Sequence, residues 1–578
     1  MKKLLAFLLF FPFALLNAQT FLPKGLTDVE KEVYDVFIKQ ATTQQASDPP
    51  SVSVRTPAEW EEHQALFLSW TWQEQILREI VRHSVDEMTV YINTDSPGQV
   101  QNYLENGGVN TDNVVFVDYD FDSIWIRDYG PWTIYYNDVE ELAIVDWIYN
   151  RPSRINDDAV PSQIANDLGL DFYETKGGQY NLVATGGNFM ADGLGRGFSS
   201  ELIIEENPSQ SITNINSILN DFMGIDDYVL MNTLPYDGIH HIDMHMKLLN
   251  EETLLVGQYP DGVSDGPQIE ANLQYILENY DSPFGTPYKV VRVEMPPDQW
   301  GDYPSQNGYY RTFTNSVFVN KTLIVPTYEE PYDSEALAAY EEALPGYNVV
   351  GIDCNSIIPA SGAIHCITKM VGVDDPIWIV HQNISDQVDE DEGYFIEAQI
   401  KAKDSVLGAT LHYKQSTDSE WTAMLMEDAG NDMYTASIPS INVETADIEY
   451  YIEAISGMGK QVNRPLTAPE GYFKFNAINN NPTVSTSITT IGSTSMQNVY
   501  PNPSRGMTVI PINFGKAHEN VVVNVTDLLG RSVELIYNGD VLKGEKNLFV
   551  NTANYTSGAY LVDIQIDGQH LSQKFIVK

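Results

Sequence analysis

From about Arg55 to His381 the chain alternates short apolar runs with loops and a few helix-length segments. Ala65-Leu66-Phe67-Leu68-Ser69-Trp70, Leu142-Ala143-Ile144-Val145, Leu254-Leu255-Val256 and Leu323-Ile324-Val325 read as strands. Gln75–Arg82 and Ser334–Ala343 carry helical patterns. Strands interleaved with helices over so long a stretch fit an α/β or α+β enzyme core. No internal repeat is evident by inspection, although weak structural repeats escape such inspection.

The chain has 578 residues, which calls for three or more domains. Lys2 and Lys3 precede the apolar run Leu4–Leu16, and Ala18 offers a small residue before Gln19, so residues 1–18 read as a secretory signal peptide. That run is shorter than a spanning helix needs, and no later stretch comes closer, so no integral membrane segment is expected after signal cleavage. An N-terminal segment (19–54) leads into the catalytic region (55–380). The acidic run Asp386–Glu392 breaks the pattern; it could bind structural calcium, but it lacks EF-hand spacing and the favoured reading is a solvated linker. Residues 393–477, with Tyr450-Tyr451-Ile452-Glu453-Ala454, read as an immunoglobulin-like β-sandwich. Residues 478–496 have the Asn/Ser/Thr composition of a linker, and 497–578 form a small β-rich module.

The chain has 80 acidic against 32 basic side chains, a formal charge of −48. Such a field repels nucleic acid and anionic lipid. With 43% hydrophobic residues, the acidity coats a folded protein. The two cysteines, Cys354 and Cys366, exclude a disulfide scaffold and a four-thiolate zinc site.

Four segments could carry chemistry. If His240-His241-Ile242-Asp243-Met244-His245-Met246 is a strand, alternation puts His241, Asp243, His245 and Lys247 on one polar face suited to a cavity wall. The alternatives are a solvent-facing strand and, less favoured because the spacing is a weak signal, a metal site. Cys366 follows Ala360-Ser361-Gly362-Ala363, small residues that could bring a thiol to the mouth of a pocket; a disulfide with Cys354 is the structural alternative. Trp125-Ile126-Arg127-Asp128-Tyr129-Gly130-Pro131-Trp132 sets aromatics around a carboxylate, as a cation site would, or is a core strand with internal pairing. Asn315 alone commonly only closes backbone hydrogen bonds.

Together, Trp125…Asp128, His241-Ile242-Asp243, Asn315 and Gly362-Ala363-Ile364-His365-Cys366-Ile367-Thr368 occur in the order seen in the agmatine deiminase and bacterial peptidylarginine deiminase family, which the sequence resembles over about 55–380. The resemblance implies a pentein α/β propeller, five ββαβ-like units around a pocket, with no metal and no required cofactor. It implies that Asp128 and Asp243 clamp a guanidinium, Cys366 attacks its central carbon, His241 moves protons and Asn315 orients the thiol, giving a ureido product such as citrulline and ammonia. Trp125 would line the substrate site. At the far end, the peptide-acting branch has Arg-Pro-Arg, two arginines for a terminal carboxylate; here Arg151 matches, Ser153 stands where the second belongs, and Arg154 lies one residue late. Surface pairing of Arg151 and Arg154 with Asp157 and Asp158 is the bland alternative.

The last module resembles the sorting domain of type IX secretion cargo at Tyr500-Pro501-Asn502-Pro503, Asp527-Leu528-Leu529-Gly530-Arg531, Ser557-Gly558-Ala559-Tyr560 and Lys574–Lys578. That implies the type IX machinery as a partner and a secreted or surface-attached product. An exported enzyme meets peptides, so peptidyl arginine, preferentially C-terminal, is the expected substrate. Agmatine is the alternative substrate; a catalytically silent surface-binding protein is the alternative from another class.

Overall fold

The middle strands of the first region are apolar along most of their length, so both faces need cover. In the computed structural model Leu142–Asp146 is buried throughout, and Thr253–Gln258 and Thr322–Thr327 are buried except at their last residues. The model describes residues 22–41, 47–385, 387–389, 393–441, 443, 445–479, 489–491 and 493–578. The expected signal peptide and its cleavage point, most of the Asp386–Glu392 run proposed for calcium, and much of the 478–496 linker lie outside these residues.

The chain divides into two units, Met1–Pro376 and Ile377–Lys578. The first contains five small sheets that share one plan: an antiparallel pair whose second strand also pairs in parallel with a strand reached through a helix. The successive sheets are built on Trp132–Tyr136, Leu142–Asp146 and Asp171–Glu174; on Met190–Ala191, Arg196–Ser200 and Asp227–Met231; on Met246–Asn250, Thr253–Gln258 and Lys289–Glu294; and on Val317–Val319, Thr322–Thr327 and Asn348–Asp353. The remaining sheet joins the two ends of the unit. Lys369–Gly372 pairs antiparallel with His63–Ser69, which pairs in parallel with Thr89–Asn93. Parallel strands need a crossover, and Glu74–Ser84, Ile155–Leu168, Gly266–Asn279 and Tyr332–Ala343 supply helical ones. Glu74–Ser84 buries Ile76, Leu77, Ile80, Val81 and Ser84 on one stripe. A repeat therefore exists in topology although the sequence shows none.

Among the described residues the second unit is built of strands, with one short 3-10 turn at Thr552–Asn554. Strands from Ile377–Val380 to Phe473–Asn479 enclose one core that includes Ile396, Ile400, Leu411, Tyr450 and Phe475. The expected catalytic region ran to 380, but Ile377–Val380 hydrogen-bonds with Tyr394–Ala402 of this core. Strands from Thr494–Met496 to Gln569–Val577 enclose a separate core around Ile510, Val523, Val562 and Phe575. Alternate burial along Gly558–Ile566 marks a sheet with one solvated face. No helix among the described residues is long and apolar enough to cross a membrane.

Candidate active site

In four of the five sheets the chain makes a tight turn shortly before the first strand of the antiparallel pair, and in the fifth it enters that strand from a loop. Asp128 lies in the short helix Ile126–Tyr129 before Trp132–Tyr136, and Gly187 in the turn Gly186–Asn188 before Met190–Ala191. Asp243 lies in the turn Ile242–Met244 before Met246–Asn250, Asn315 just before Val317–Val319, and Cys366 in the turn His365–Ile367 before Lys369–Gly372. Equivalent positions of separate sheets thus converge.

The segment His240–Met246 is not the strand its alternation suggested. Ile242–Met244 is a 3-10 turn and the strand starts at Met246, because the chain must reverse before entering the pair. His241 and Asp243 still face the same site across the turn. Lys247 does not share their surroundings: its Nζ donates to Glu59 Oε1 at 2.6 Å and to the Ser316 carbonyl at 2.9 Å. His245 is buried with no hydrogen bond at either ring nitrogen among the described residues, and burial holds its pKa down to about 4.

Cys366 and Cys354 are both free and buried, so the disulfide alternative is not formed. Asn315 Nδ2 donates to Cys366 Sγ at 3.1 Å, and Asp243 Oδ2 lies 3.7 Å from the same sulfur. Burial first, then the Asp243 carboxylate, push this thiol up to about 12. Gly362 packs beside it. A methyl group on Gly362 would fall 2.6 Å from the Trp125 ring and 3.2 Å from Sγ, so only glycine lets ring and thiol approach.

Both acids are buried. Asp243 Oδ2 accepts from His365 Nδ1 at 2.8 Å, while the other ring nitrogen of His365 meets Glu59 Oε2 at 2.8 Å. Burial works to raise the Asp243 pKa, but Lys24 and His365 outweigh it and hold the carboxyl below the ordinary range. Asp128 is shifted the other way, chiefly by burial, and neither of its oxygens has a hydrogen-bond partner among the described residues. Burial, then Lys24, keep His241 well below the imidazole range and therefore neutral. Its Nε2 sits 2.9 Å from Thr185 Oγ1, and its Nδ1 is 3.6 Å from Asp128 Oδ1. A Cβ on Gly187 would lie 2.5 Å from that Nδ1, 3.0 Å from Asp128 Oδ1 and 3.1 Å from Asp243 Oδ2. The absent side chain lets the Gly187 main chain pack directly against two acids and a neutral base.

A cation of the chain itself reaches this cluster. Lys24 is buried; its Nζ donates to Cys366 Sγ at 2.6 Å and lies 4.0 Å from Asp243 Oδ1. Arg151 and Arg154 are buried rather than surface charges. Arg151 donates through Nε and Nη2 to the Lys24 carbonyl at 2.9 and 2.6 Å. Arg154 pairs with Glu30 at 3.1 Å, not with Asp157 or Asp158. Ser153 also donates to Glu30, at 2.7 Å.

Asp128, His241, Asp243, Asn315 and Cys366 thus lie in one buried cluster, Trp125, Arg151 and Arg154 meet the segment 22–25 that enters it, and Lys247 lies apart with Glu59. Sequence reasoning missed Lys24, Glu59, Thr185, Gly187 and the bridging role of His365. The doublet Gly186-Gly187 was a readable signal of close approach; Lys24 and Glu59 gave none. Among the described residues no group of three His, Cys, Asp or Glu side chains could hold a metal ion.

Residues 55–371 match the model of the Porphyromonas-type peptidyl-arginine deiminase family, more than half of the chain. The chain belongs to that family. Residues 498–578 match the secretion system C-terminal sorting domain, so the protein is a type IX secretion cargo, secreted or attached to the cell surface. An agmatine deiminase of Ectopseudomonas mendocina (strain ymp) is 24% identical over 363 residues, covering 56% of this chain and 96% of its own length. An X-ray structure named as a "putative agmatine deiminase" aligns with a TM-score of 0.51 at 21% identity, covering 57% of this chain and 99% of its own. That likeness speaks for the fold alone. The deiminase family makes the protein a hydrolase of C–N bonds.

Proposed function

We propose that the protein hydrolyses the guanidinium of peptidyl arginine to citrulline and ammonia, with C-terminal arginine the preferred form. The observation that carries this reading is the pair of buried acids, Asp128 and Asp243, set around the Cys366 thiol with cationic Arg151 at the far end. A guanidinium between the acids is held by charge and by directed hydrogen bonds. Its positive charge stabilises the Cys366 thiolate, which attacks the central carbon. Asn315 fixes the sulfur. His241, neutral at rest, takes the proton that the Cys366 thiol releases, passes it to the departing ammonia and then draws one from the water that resolves the thiouronium. The His365–Glu59 bridge holds Asp243 ionised and in place. Neither step calls for a cofactor.

Arg151 argues for a carboxylate or main-chain carbonyl at the other end of the substrate, since the ammonium of agmatine would meet like charge there. The agmatine deiminases among its relatives keep the small guanidine as the competing substrate. Because Lys24 occupies the site, the deciding comparison uses a Lys24→Ala variant. Turnover of a C-terminal arginyl peptide should exceed that of agmatine, with ureido product and ammonia in equal amounts, and Cys366→Ala should abolish both. Preference for agmatine overturns the substrate assignment; activity surviving Cys366→Ala overturns the mechanism.

We also read the five sheets as the blades of a pentein propeller, the first core of the second unit as an immunoglobulin-like sandwich, and the last core as the sandwich of the sorting domain. The repeated plan of paired and crossover strands supports the first, and the two separate all-β cores support the others.

A further inference from the structure

Four consecutive residues before the N-terminal helix, Leu22 to Gly25, run through the candidate site, and the three residues expected to bind substrate contact their main chain. Trp125 Nε1 donates to the Leu22 carbonyl at 3.0 Å. Arg154 Nη2 donates to the carbonyls of Pro23 at 2.7 Å and Gly25 at 3.0 Å. Arg151 grips the Lys24 carbonyl through two nitrogens. Contacts of this kind read a backbone, not a sequence. The one side chain they deliver inward is a cation.

Its length is informative. Lys Nζ and the Arg central carbon Cζ are both the fifth atom along the side chain beyond Cα. The ammonium nitrogen of Lys24, 2.6 Å from Sγ, therefore marks where the electrophilic carbon of an arginine on the same backbone would fall. An ammonium has no carbon for the thiolate to attack, so Lys24 fills the site without being consumed. Behind it the segment is anchored: Thr27 and Glu30 exchange hydrogen bonds at the start of Asp28–Ala41, and Glu30 is held in turn by Arg154 and Ser153.

We propose that Leu22–Gly25 is a tethered pseudosubstrate, which makes the protein latent while Lys24 is inserted and shows that the site takes a basic residue flanked by peptide on both sides. The reading deepens the deiminase assignment and rests on it. It extends the substrate class beyond C-terminal arginine, because Gly25 continues the chain past the inserted residue and is itself bound.

Three variants of the full chain test this. Lys24→Ala, and Lys24→Met as an uncharged variant of similar length, should react with a haloacetamidine at Cys366 at least about tenfold faster than the parent, because the apparent affinity of an occluded site falls with the fraction open. In that reaction the thiolate displaces chloride, forming C–S as C–Cl breaks, and intact mass reports it. Both variants should also gain activity on an added peptide with an internal arginine. Lys24→Arg should modify itself: the guanidinium carbon at position 24 bonds to Sγ as ammonia leaves with a proton, water then displaces the thiol, and the net change is guanidinium plus water to urea plus ammonium. Peptide mass spectrometry should find a ureido group at position 24, absent when Cys366→Ala is added. Equal labelling of parent and both variants overturns the pseudosubstrate while leaving the deiminase reading standing if arginine is turned over. Faster labelling with no turnover of any arginine compound sinks the deiminase reading and upholds the insertion. An unmodified position 24 in Lys24→Arg, in a protein that does turn over added peptide, refutes substrate-like placement.

Discussion

Gly187→Ala tests the close packing of the main chain against the two acids and His241. Gly187 has an ordinary backbone conformation, so alanine is tolerated by the main chain and even reduces the entropy of the unfolded state. The added methyl is the whole perturbation. Its contacts at 2.5 Å to His241 Nδ1 and at 3.0 and 3.1 Å to Asp128 and Asp243 are too short, so the two acids and the base must shift from the positions that would clamp a planar cation. Overpacking of this kind costs about 1–3 kcal/mol, and a shift of about 1 Å at the reacting groups costs roughly 10²-fold in rate. In a Lys24→Ala background, kcat/KM for an arginyl peptide should therefore fall about 10²-fold, close to 3 kcal/mol of barrier, with KM rising as well because both clamping acids are touched. The thermal midpoint should drop by only a few degrees. The assay is ureido product formation across a range of peptide concentrations, beside a melt of the same preparation. If kcat/KM stays within about threefold of the parent, the acids and base packed against Gly187 do not hold the guanidinium and their assigned roles are wrong.

In the same background, Arg151→Ala should raise KM for a C-terminal arginyl peptide by about 10- to 100-fold, the worth of a charge-assisted pair of hydrogen bonds, and improve agmatine turnover, because the ammonium no longer meets like charge. A parallel loss on both substrates would remove Arg151 from main-chain recognition. Glu206 is buried beside Arg151, hydrogen-bonded by Asn150, and burial raises its carboxyl to about 7. A carboxyl raised in the folded state binds its proton more tightly there than in the unfolded chain, so its contribution to stability is present below the unfolded value and disappears as pH rises to about 7. Glu206→Gln, which keeps the acceptor for Asn150, should thus stabilise the first unit at pH 8 by up to about 3 kcal/mol and by little at pH 5, read from denaturant unfolding at the two pH values.

Much of this site was legible because its chemistry lies in short, ordered motifs. Asp128, His241 and Cys366 sit next to aromatic or histidine neighbours that stand out, Asp243 lies two residues from a histidine on either side, and Asn315 was legible only from the order of the motifs; the structure places all five in one buried cluster. The burial of Arg151 and Arg154 was less legible, since Glu30 and the Lys24 carbonyl, which accept their hydrogen bonds, lie over a hundred residues earlier. The fold's repeat escaped inspection for a physical reason. A strand buried on both faces asks only for apolar bulk, so Leu142–Asp146, Thr253–Gln258 and Thr322–Thr327 need share no residue pattern. The misread strand at His240–Met246 has the same root: alternation over a few residues cannot tell a strand from the turn that leads into one.

The sheet that joins Lys369–Gly372 to His63–Ser69 sets the order in which this protein can become an enzyme. Cys366 is carried on the turn entering that final strand, while its acids and base belong to units that close earlier along the chain. Contacts so distant in sequence carry a loop-closure cost that must be met before they reward it. A chain still growing, or one with a single sheet undone, possesses every reactive group and no assembled centre, so the chemistry switches on only when the last strand finds the first.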